Sequence, residues 1–227
     1  MRNAGLRETT CGRRKRRYSN YNGPVANIIS LTRILLLIPV VWLIYLPPNP
    51  WQFASVFVII VIFLSDIFDG YLARRQGTAS QFGALFDITA DRIVEITLWI
   101  VAADVDLVPV WVPLVFVFRG TIVDTIRAEA SHTKGVAPFA AMHTAWGKRL
   151  VAGRFMRGFY GTVKAFAFCT LVAIMPLSTQ LPELWAVIGG FWTGLTYFCV
   201  YLAVVLCILR GLPVLVEFGY RVAQKAE

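Results

Sequence analysis

The chain alternates long apolar segments with short polar ones, and this alternation restricts its fold more than any other feature. Six segments reach the roughly 20 residues that a helix needs to cross the hydrocarbon core of a bilayer. Composition agrees, since 57% of the 227 residues are hydrophobic and 15% are charged, against about 45–50% and 25% in soluble domains. We therefore predict an all-α integral membrane protein with about six transmembrane helices. The predicted spans are residues 26–46, 51–75, 81–103, 107–126, 159–177 and 184–209.

Basic residues are concentrated in alternate connections between these spans. The connections after spans one, three and five contain no Lys or Arg, whereas the arm, the connections after spans two and four and the tail contain nearly all of them. The positive-inside rule then places both termini in the cytoplasm. The net charge of +9 favours anionic membrane lipids as partners, and no basic soluble domain is present to bind nucleic acid. We predict a basic cytoplasmic arm at 1–22 and a single membrane domain at 23–227.

Four aspartates interrupt the apolar sequence where span two ends and span three begins. Asp66 and Asp69 are three residues apart, and Asp87 and Asp91 are four apart, so each pair shares one face of a helix. An ionised Asp at mid-membrane costs about 2.5–3.5 kcal/mol on insertion scales, so we expect cations or water beside them. Converging carboxylates suit Mg²⁺, Mn²⁺ or Ca²⁺. A purely structural Asp–Arg network is the alternative interpretation.

The spacing also resembles a family signature. Asp-x-x-Asp-Gly-x-x-Ala-Arg, eight residues, then Gly-x-x-x-Asp-x-x-x-Asp is similar to the motif of the CDP-alcohol phosphatidyltransferases. The resemblance implies that CDP-diacylglycerol donates a phosphatidyl group to a polar alcohol with release of CMP, at the cytoplasmic ends of helices 2 and 3. It implies two divalent cations, Mg²⁺ or Mn²⁺, which suits phosphoryl transfer. It also suggests a bacterial-type plasma membrane and a homodimer.

The same resemblance assigns roles to individual residues. Asp91 becomes the general base as well as a metal ligand. The beginning of span one is loosely similar to a stretch of this family that contacts the donor. The assigned metal ligands are Asp66, Asp69, Asp87 and Asp91; the nucleotide- and phosphate-binding residues are Gly70, Ala73, Arg74 and Gly83; and the candidate donor contacts are Asn27, Thr32 and Arg33.

Later segments resemble the phosphatidylglycerophosphate synthases of this family. Arg119, Arg127 and Lys164 occupy positions where these enzymes carry cations, and three cations in one pocket suit the phosphate of glycerol 3-phosphate. The sequence departs from that pattern at Ile88 and Gly120, among other positions. Glycerol 3-phosphate is therefore the first acceptor hypothesis, and inositol phosphate, inositol or serine are alternatives.

A non-catalytic divalent-ion carrier is the alternative from another functional class. A carrier needs a polar path through both faces of the membrane. Here the aspartates cluster on one side, and the opposite connections show no matching path.

Residues 128–158 are expected to form a long loop or interfacial segment of undecided role.

Overall fold

The computed structural model of the protein describes residues 24–76, 81–134 and 153–226, and side chains within 28, 30–65, 86–126, 153, 155–216 and 218–219. The described backbone forms helices and no strand, which confirms the all-α prediction for these ranges. The predicted basic arm, residues 1–22, lies outside them. The helices are α1 (Pro24–Tyr45), α2 (Gln52–Gln76), α3 (Gln81–Asp104), α4 (Trp111–Lys134), α5 (Arg154–Gln180) and α6 (Pro182–Ala226).

Helix boundaries follow local backbone chemistry. Prolines at positions 47, 48 and 50 separate α1 from α2, because proline cannot donate a helical hydrogen bond. Between α3 and α4, Asp106 adopts a positive φ of 57°, a left-handed conformation that Asp tolerates better than most residues. The predicted fourth span begins at residue 107, but α4 begins only at Trp111. This left-handed residue and Pro109 account for the difference.

The helices close into a ring around a packed interior. Helix α1 contacts α2 and α3, α2 contacts α5, α5 contacts α6, and α4 contacts both α6 and α3. The indole of Trp99 on α3 lies in the centre, with its ring 4.7 Å from that of Phe116 and 4.4 Å from that of Phe168. Apolar packing thus joins α3, α4 and α5.

The outer surface is strongly apolar, as expected where lipid replaces water. Trp42, Phe57, Phe118 and Phe198 are each more than half exposed. Among the described residues, two helices are long and apolar enough to cross a membrane, Phe155–Gln180 and Pro182–Val216. Six spans therefore remain a prediction.

Two further predicted boundaries differ from the ends of the observed helices. The segment 128–158 was expected to be a loop or interfacial stretch, but α4 extends to Lys134 and α5 begins at Arg154; residues 135–152 lie outside the described part. The last span was predicted to end at residue 209, whereas α6 continues to Ala226. At 1.5 Å per residue this helix is about 68 Å long, far longer than the roughly 30 Å hydrocarbon core.

Candidate active site

A polar cluster joins the first half of α1 to the first half of α3. It consists of Ser30, Arg33, Asp87 and Asp91, and we call it the acidic node. Arg33 donates through Nη1 to Oδ1 of Asp91 and through Nη2 to Oδ1 of Asp87. The Ser30 hydroxyl donates to the same Asp87 oxygen at 3.0 Å and accepts from Nη2 of Arg33 at 3.2 Å. One guanidinium therefore bridges both carboxylates that helical spacing placed on one face.

The two sides of the acidic node differ in exposure. Arg33 and Ser30 are each 2% exposed, whereas the side chains of Asp87 and Asp91 are 43% and 48% exposed. The arginine thus lies beneath the carboxylates, which present part of their surface outward. A carboxylate with one oxygen held from below can still meet a cation or a hydroxyl from above.

A second polar cluster lies one turn further along α3. Glu95 is buried and accepts from Nζ of Lys164 at 2.8 Å and from Nη1 of Arg92 at 3.0 Å. The Tyr160 hydroxyl donates to it at 3.4 Å. Arg92 also donates through Nε to Asp124 at 3.0 Å. This Glu95 network ties α3, α4 and α5 together, and each buried charge in it has an opposite partner, as low-dielectric surroundings require.

Two further arginines approach the Glu95 network without a carboxylate of their own among the described ion pairs. Arg210 on α6 is 9% exposed, and its guanidinium carbon lies 5.0 Å from the ring centroid of Tyr160. The side chain of Arg119 on α4 packs against Gly211. A Cβ added at Gly211 would lie 3.1 Å from Cγ of Arg119. The Nε atoms of both arginines are buried and have no hydrogen-bond partner in the described structure. Such groups favour an anion nearby.

Both clusters open into one cavity of about 750 Å³. Its charged end includes Arg33, Asp91, Glu95, Arg157 and Lys164. Along α5 its lining extends from Arg157 to Ala173, about 24 Å at the helical rise. The cavity therefore combines a charged end with a long apolar compartment. The apolar walls include Val56, Ile60, Phe63, Leu64, Phe166, Phe168, Cys169 and Ala173.

The structure brings together only some of the residues predicted from sequence. Asp87, Asp91 and Arg33 meet directly, and Lys164 lies across the same cavity in the Glu95 network. Thr32 is exposed and donates to its own helix at the Ile28 carbonyl, 2.8 Å away. The remaining predicted side chains lie outside the described residues, although their backbones are helical: Asn27, Asp66, Asp69, Gly70, Ala73, Arg74, Gly83 and Arg127.

Sequence reasoning missed Arg210 and the links that Glu95 makes to Lys164 and Tyr160. Arg210 follows a long apolar segment, which is typical of a residue at the end of a span. Glu95 and Arg92 are three residues apart, a spacing that places them on one helix face, and they form an ion pair at 3.0 Å. Only the fold shows that α5 and α6 bring further cations to this carboxylate.

Comparison with known proteins agrees with the sequence motif. A family model described as CDP-alcohol phosphatidyltransferase matches residues 24–209. The chain belongs to the CDP-alcohol phosphatidyltransferase family. It is also 34% identical over 70 residues to proteins named CDP-diacylglycerol–glycerol-3-phosphate 3-phosphatidyltransferase from Escherichia coli (strain K12), Shigella flexneri serotype 5b (strain 8401) and Shigella sonnei (strain Ss046). The match covers 31% of this chain and 38% of each relative.

Membership of this family raises the question of whether the acidic node suits a divalent cation. Asp87 and Asp91 offer hard oxygen ligands with exposed surface, which is the chemistry that Mg²⁺ and Mn²⁺ prefer. The described side chains contain no group of three or more potential ligands. The other two predicted ligands, Asp66 and Asp69, are outside the described side chains. The described side chains therefore include two of the four predicted metal ligands, and both suit a divalent cation.

We expect Glu95→Gln to destabilise the protein markedly. The substitution keeps the shape but removes the carboxylate that Lys164 contacts, and breaking a buried ion pair costs about 3–5 kcal/mol. At roughly 2–4 °C per kcal/mol, the thermal unfolding midpoint in detergent should fall by roughly 6–20 °C. In the matched variant Asp124→Asn, the carboxylate is 36% exposed, so the decrease should not exceed about 4 °C. Equal decreases in both variants contradict a central role for Glu95.

Proposed function

We propose that this protein synthesises a phospholipid by transferring a phosphatidyl group from CDP-diacylglycerol to a polar alcohol, with release of CMP. The observation that carries the proposal is the cavity, whose charged end contains Asp91 and whose long walls are apolar. A donor with a nucleotide head and two acyl chains matches this division, because each part meets an environment of its own polarity. Membership of the family supports the same reaction.

Asp91 is proposed as the general base. Its carboxylate lines the cavity and is held by Arg33, so it is oriented before an acceptor arrives. A base must come within about 2.6–3.2 Å of the hydroxyl that it deprotonates. Asp91 can then take the proton of the acceptor hydroxyl, whose oxygen attacks the phosphorus of the donor that carries the acyl-linked glycerol. CMP departs as the new phosphate ester forms.

Two divalent cations, Mg²⁺ or Mn²⁺, are proposed to be held by Asp66, Asp69, Asp87 and Asp91. When bound, such ions neutralise the pyrophosphate and stabilise the leaving oxygen. Gly70, Ala73, Arg74 and Gly83 are proposed to surround the nucleotide and its phosphates, and Asn27 and Thr32 to lie near the donor. These assignments rest on the signature in the sequence.

A phosphorylated acceptor is favoured by the cations around the Glu95 network. Arg119 and Arg210 have buried Nε atoms without partners in the described structure, and Lys164, which pairs with Glu95, lines the cavity. An acceptor phosphate at this end would give these donors an anion. Glycerol 3-phosphate is the first choice because the relatives are named for it, with Arg127 as a further candidate contact. Inositol phosphate also carries a phosphate that could pair with these cations, whereas inositol and serine carry none.

The proposed setting is a bacterial-type plasma membrane with both termini in the cytoplasm. Two helices long enough to span and the family match favour a membrane protein, and the distribution of basic residues supports the orientation. A water-soluble acceptor can then reach the charged end of the cavity while the acyl chains stay in the bilayer. A homodimer remains a prediction.

The test is CMP release by the purified protein in detergent or vesicles with Mg²⁺ or Mn²⁺ and CDP-diacylglycerol. We expect release that requires glycerol 3-phosphate and stops on chelation of the metal with EDTA. Release with inositol phosphate, inositol or serine instead retains the reaction and replaces the acceptor. No release with any acceptor, from protein that still binds Mn²⁺, favours the ion-carrier alternative.

A further inference from the structure

Arg33, which the sequence suggests as a donor contact, pairs with two carboxylates in the acidic node. Both of its Nη groups donate to carboxylates of α3, one to Asp87 and one to Asp91. The side chain is 2% exposed and lies beneath those carboxylates. A planar guanidinium with two directed N–H groups matches a pair of oxygens in a fixed orientation. Its two Nη groups are therefore directed at the aspartates.

We propose that Arg33, assisted by Ser30, is a positioning residue that fixes Asp87 and Asp91 for divalent-cation binding. This inference rests on the metal site of the proposed function. Arg33 and Ser30 are three residues apart on α1 and thus share a helix face. They converge on Oδ1 of Asp87, and Arg33 alone continues to Oδ1 of Asp91. Each contact removes rotational freedom from a carboxylate that would otherwise be ordered only when the cation binds.

Two physical effects of Arg33 on cation affinity oppose each other. Its positive charge near the carboxylates repels a divalent cation, which lowers affinity. Its hydrogen bonds orient the ligands in advance, which raises affinity; groups that hold metal ligands in this way typically account for 10- to 100-fold in metal binding. Orientation is the larger effect here, because the arginine is buried under the ligands while they remain 43% and 48% exposed on their other side.

The alternative is that Arg33 competes with the cation for the same oxygens. Competition requires the guanidinium to leave the node when the cation enters. The side chain is buried between helices that pack directly on each other, α1 and α3, so its departure would require this packing to open. Loss of Arg33 should weaken Mn²⁺ binding if the residue positions the ligands and strengthen it if the residue competes with the cation. A binding measurement therefore distinguishes the two roles.

The experiment is a titration of metal-free, detergent-purified protein with Mn²⁺, following the loss of the free-ion signal by electron paramagnetic resonance. We expect Arg33→Gln to weaken Mn²⁺ binding by about 10- to 100-fold. Arg33→Lys keeps the charge but not the two-pronged geometry, so its affinity should also fall. Ser30→Ala removes a single hydrogen bond to Asp87 and should weaken binding by a few fold.

Arg92→Gln is the matched control. It removes the same charge from the residue next to Asp91, but Arg92 pairs with Glu95 and Asp124, outside the acidic node. Mn²⁺ affinity should change by less than about threefold, and any change should be an increase because a nearby positive charge is lost. If Mn²⁺ affinity fell as far in Arg92→Gln as in Arg33→Gln, general disruption of the protein would explain both losses. That result would overturn the proposal.

Other outcomes are equally decisive. Unchanged or tighter Mn²⁺ binding in Arg33→Gln and Arg33→Lys contradicts positioning and assigns Arg33 to competition. If Arg33→Gln does not yield folded protein by size-exclusion chromatography, Arg33→Lys and Ser30→Ala decide in the same way. Failure of the unmodified protein to bind Mn²⁺ overturns the metal site of the proposed function together with this inference, whereas normal binding by all variants overturns this inference alone.

Discussion

Asp91→Asn should lower the rate of CMP release by at least about 100-fold, since a positioned general base typically contributes 10²- to 10⁴-fold. Asparagine has nearly the same shape as aspartate, and its amide oxygen can still accept the hydrogen bond from Arg33. The amide has neither the negative charge nor the basicity that the carboxylate supplies. The measurement is the initial rate of CMP release at saturating CDP-diacylglycerol and glycerol 3-phosphate.

The matched control for this variant is Asp104→Asn. Asp104 is on the same helix but at its other end, where it accepts a hydrogen bond from the exposed hydroxyl of Tyr45. The same chemical change there should leave the rate within about twofold of the unmodified enzyme, in keeping with the small effects of most exposed substitutions. Full activity in Asp91→Asn would rule out the general-base role and leave Asp91 at most a replaceable ligand.

Arg119→Gln should raise the KM for glycerol 3-phosphate by about 10- to 100-fold and change the KM for CDP-diacylglycerol little. A hydrogen bond to a charged group contributes about 1.5–3 kcal/mol, and each 1.4 kcal/mol corresponds to tenfold in affinity. The buried Nε of Arg119 has no partner in the described structure, and the prediction assigns the acceptor phosphate as its partner. Steady-state kinetics with each substrate varied in turn provide the two values.

The acceptor itself supplies the control for this second variant. Serine lacks a phosphate, so Arg119→Gln should change the KM for serine little. Comparable weakening of serine and glycerol 3-phosphate would show that Arg119 supports the fold and not a phosphate pocket. Arg157→Gln is a useful second comparison, because Arg157 lines the cavity and is exposed, so that water and salt screen its charge.

The positions of the helices could be predicted from sequence because hydrophobic segments of sufficient length have few alternatives to helix in a membrane. Predicted and observed ends agree closely for α1, α2 and α3. The errors occurred where this constraint is weak. Helix α6 continues past residue 209 into a more polar tail, and α4 begins late because the chain turns at Asp106. At Asp106, local backbone chemistry and not hydropathy decides the boundary.

The sequence by itself determined the family motif, the predominance of helices and the shared face of Asp87 and Asp91, since all three depend on spacing within one segment. Only the tertiary structure decided which cations from other helices meet which carboxylate. Arg33 reaches Asp87 across 54 positions of the chain, and Lys164 reaches Glu95 across 69. Such pairs form because burying a charge is costly unless an opposite charge accompanies it. The choice of partner depends on which helices pack side by side, and that is a property of the whole bundle.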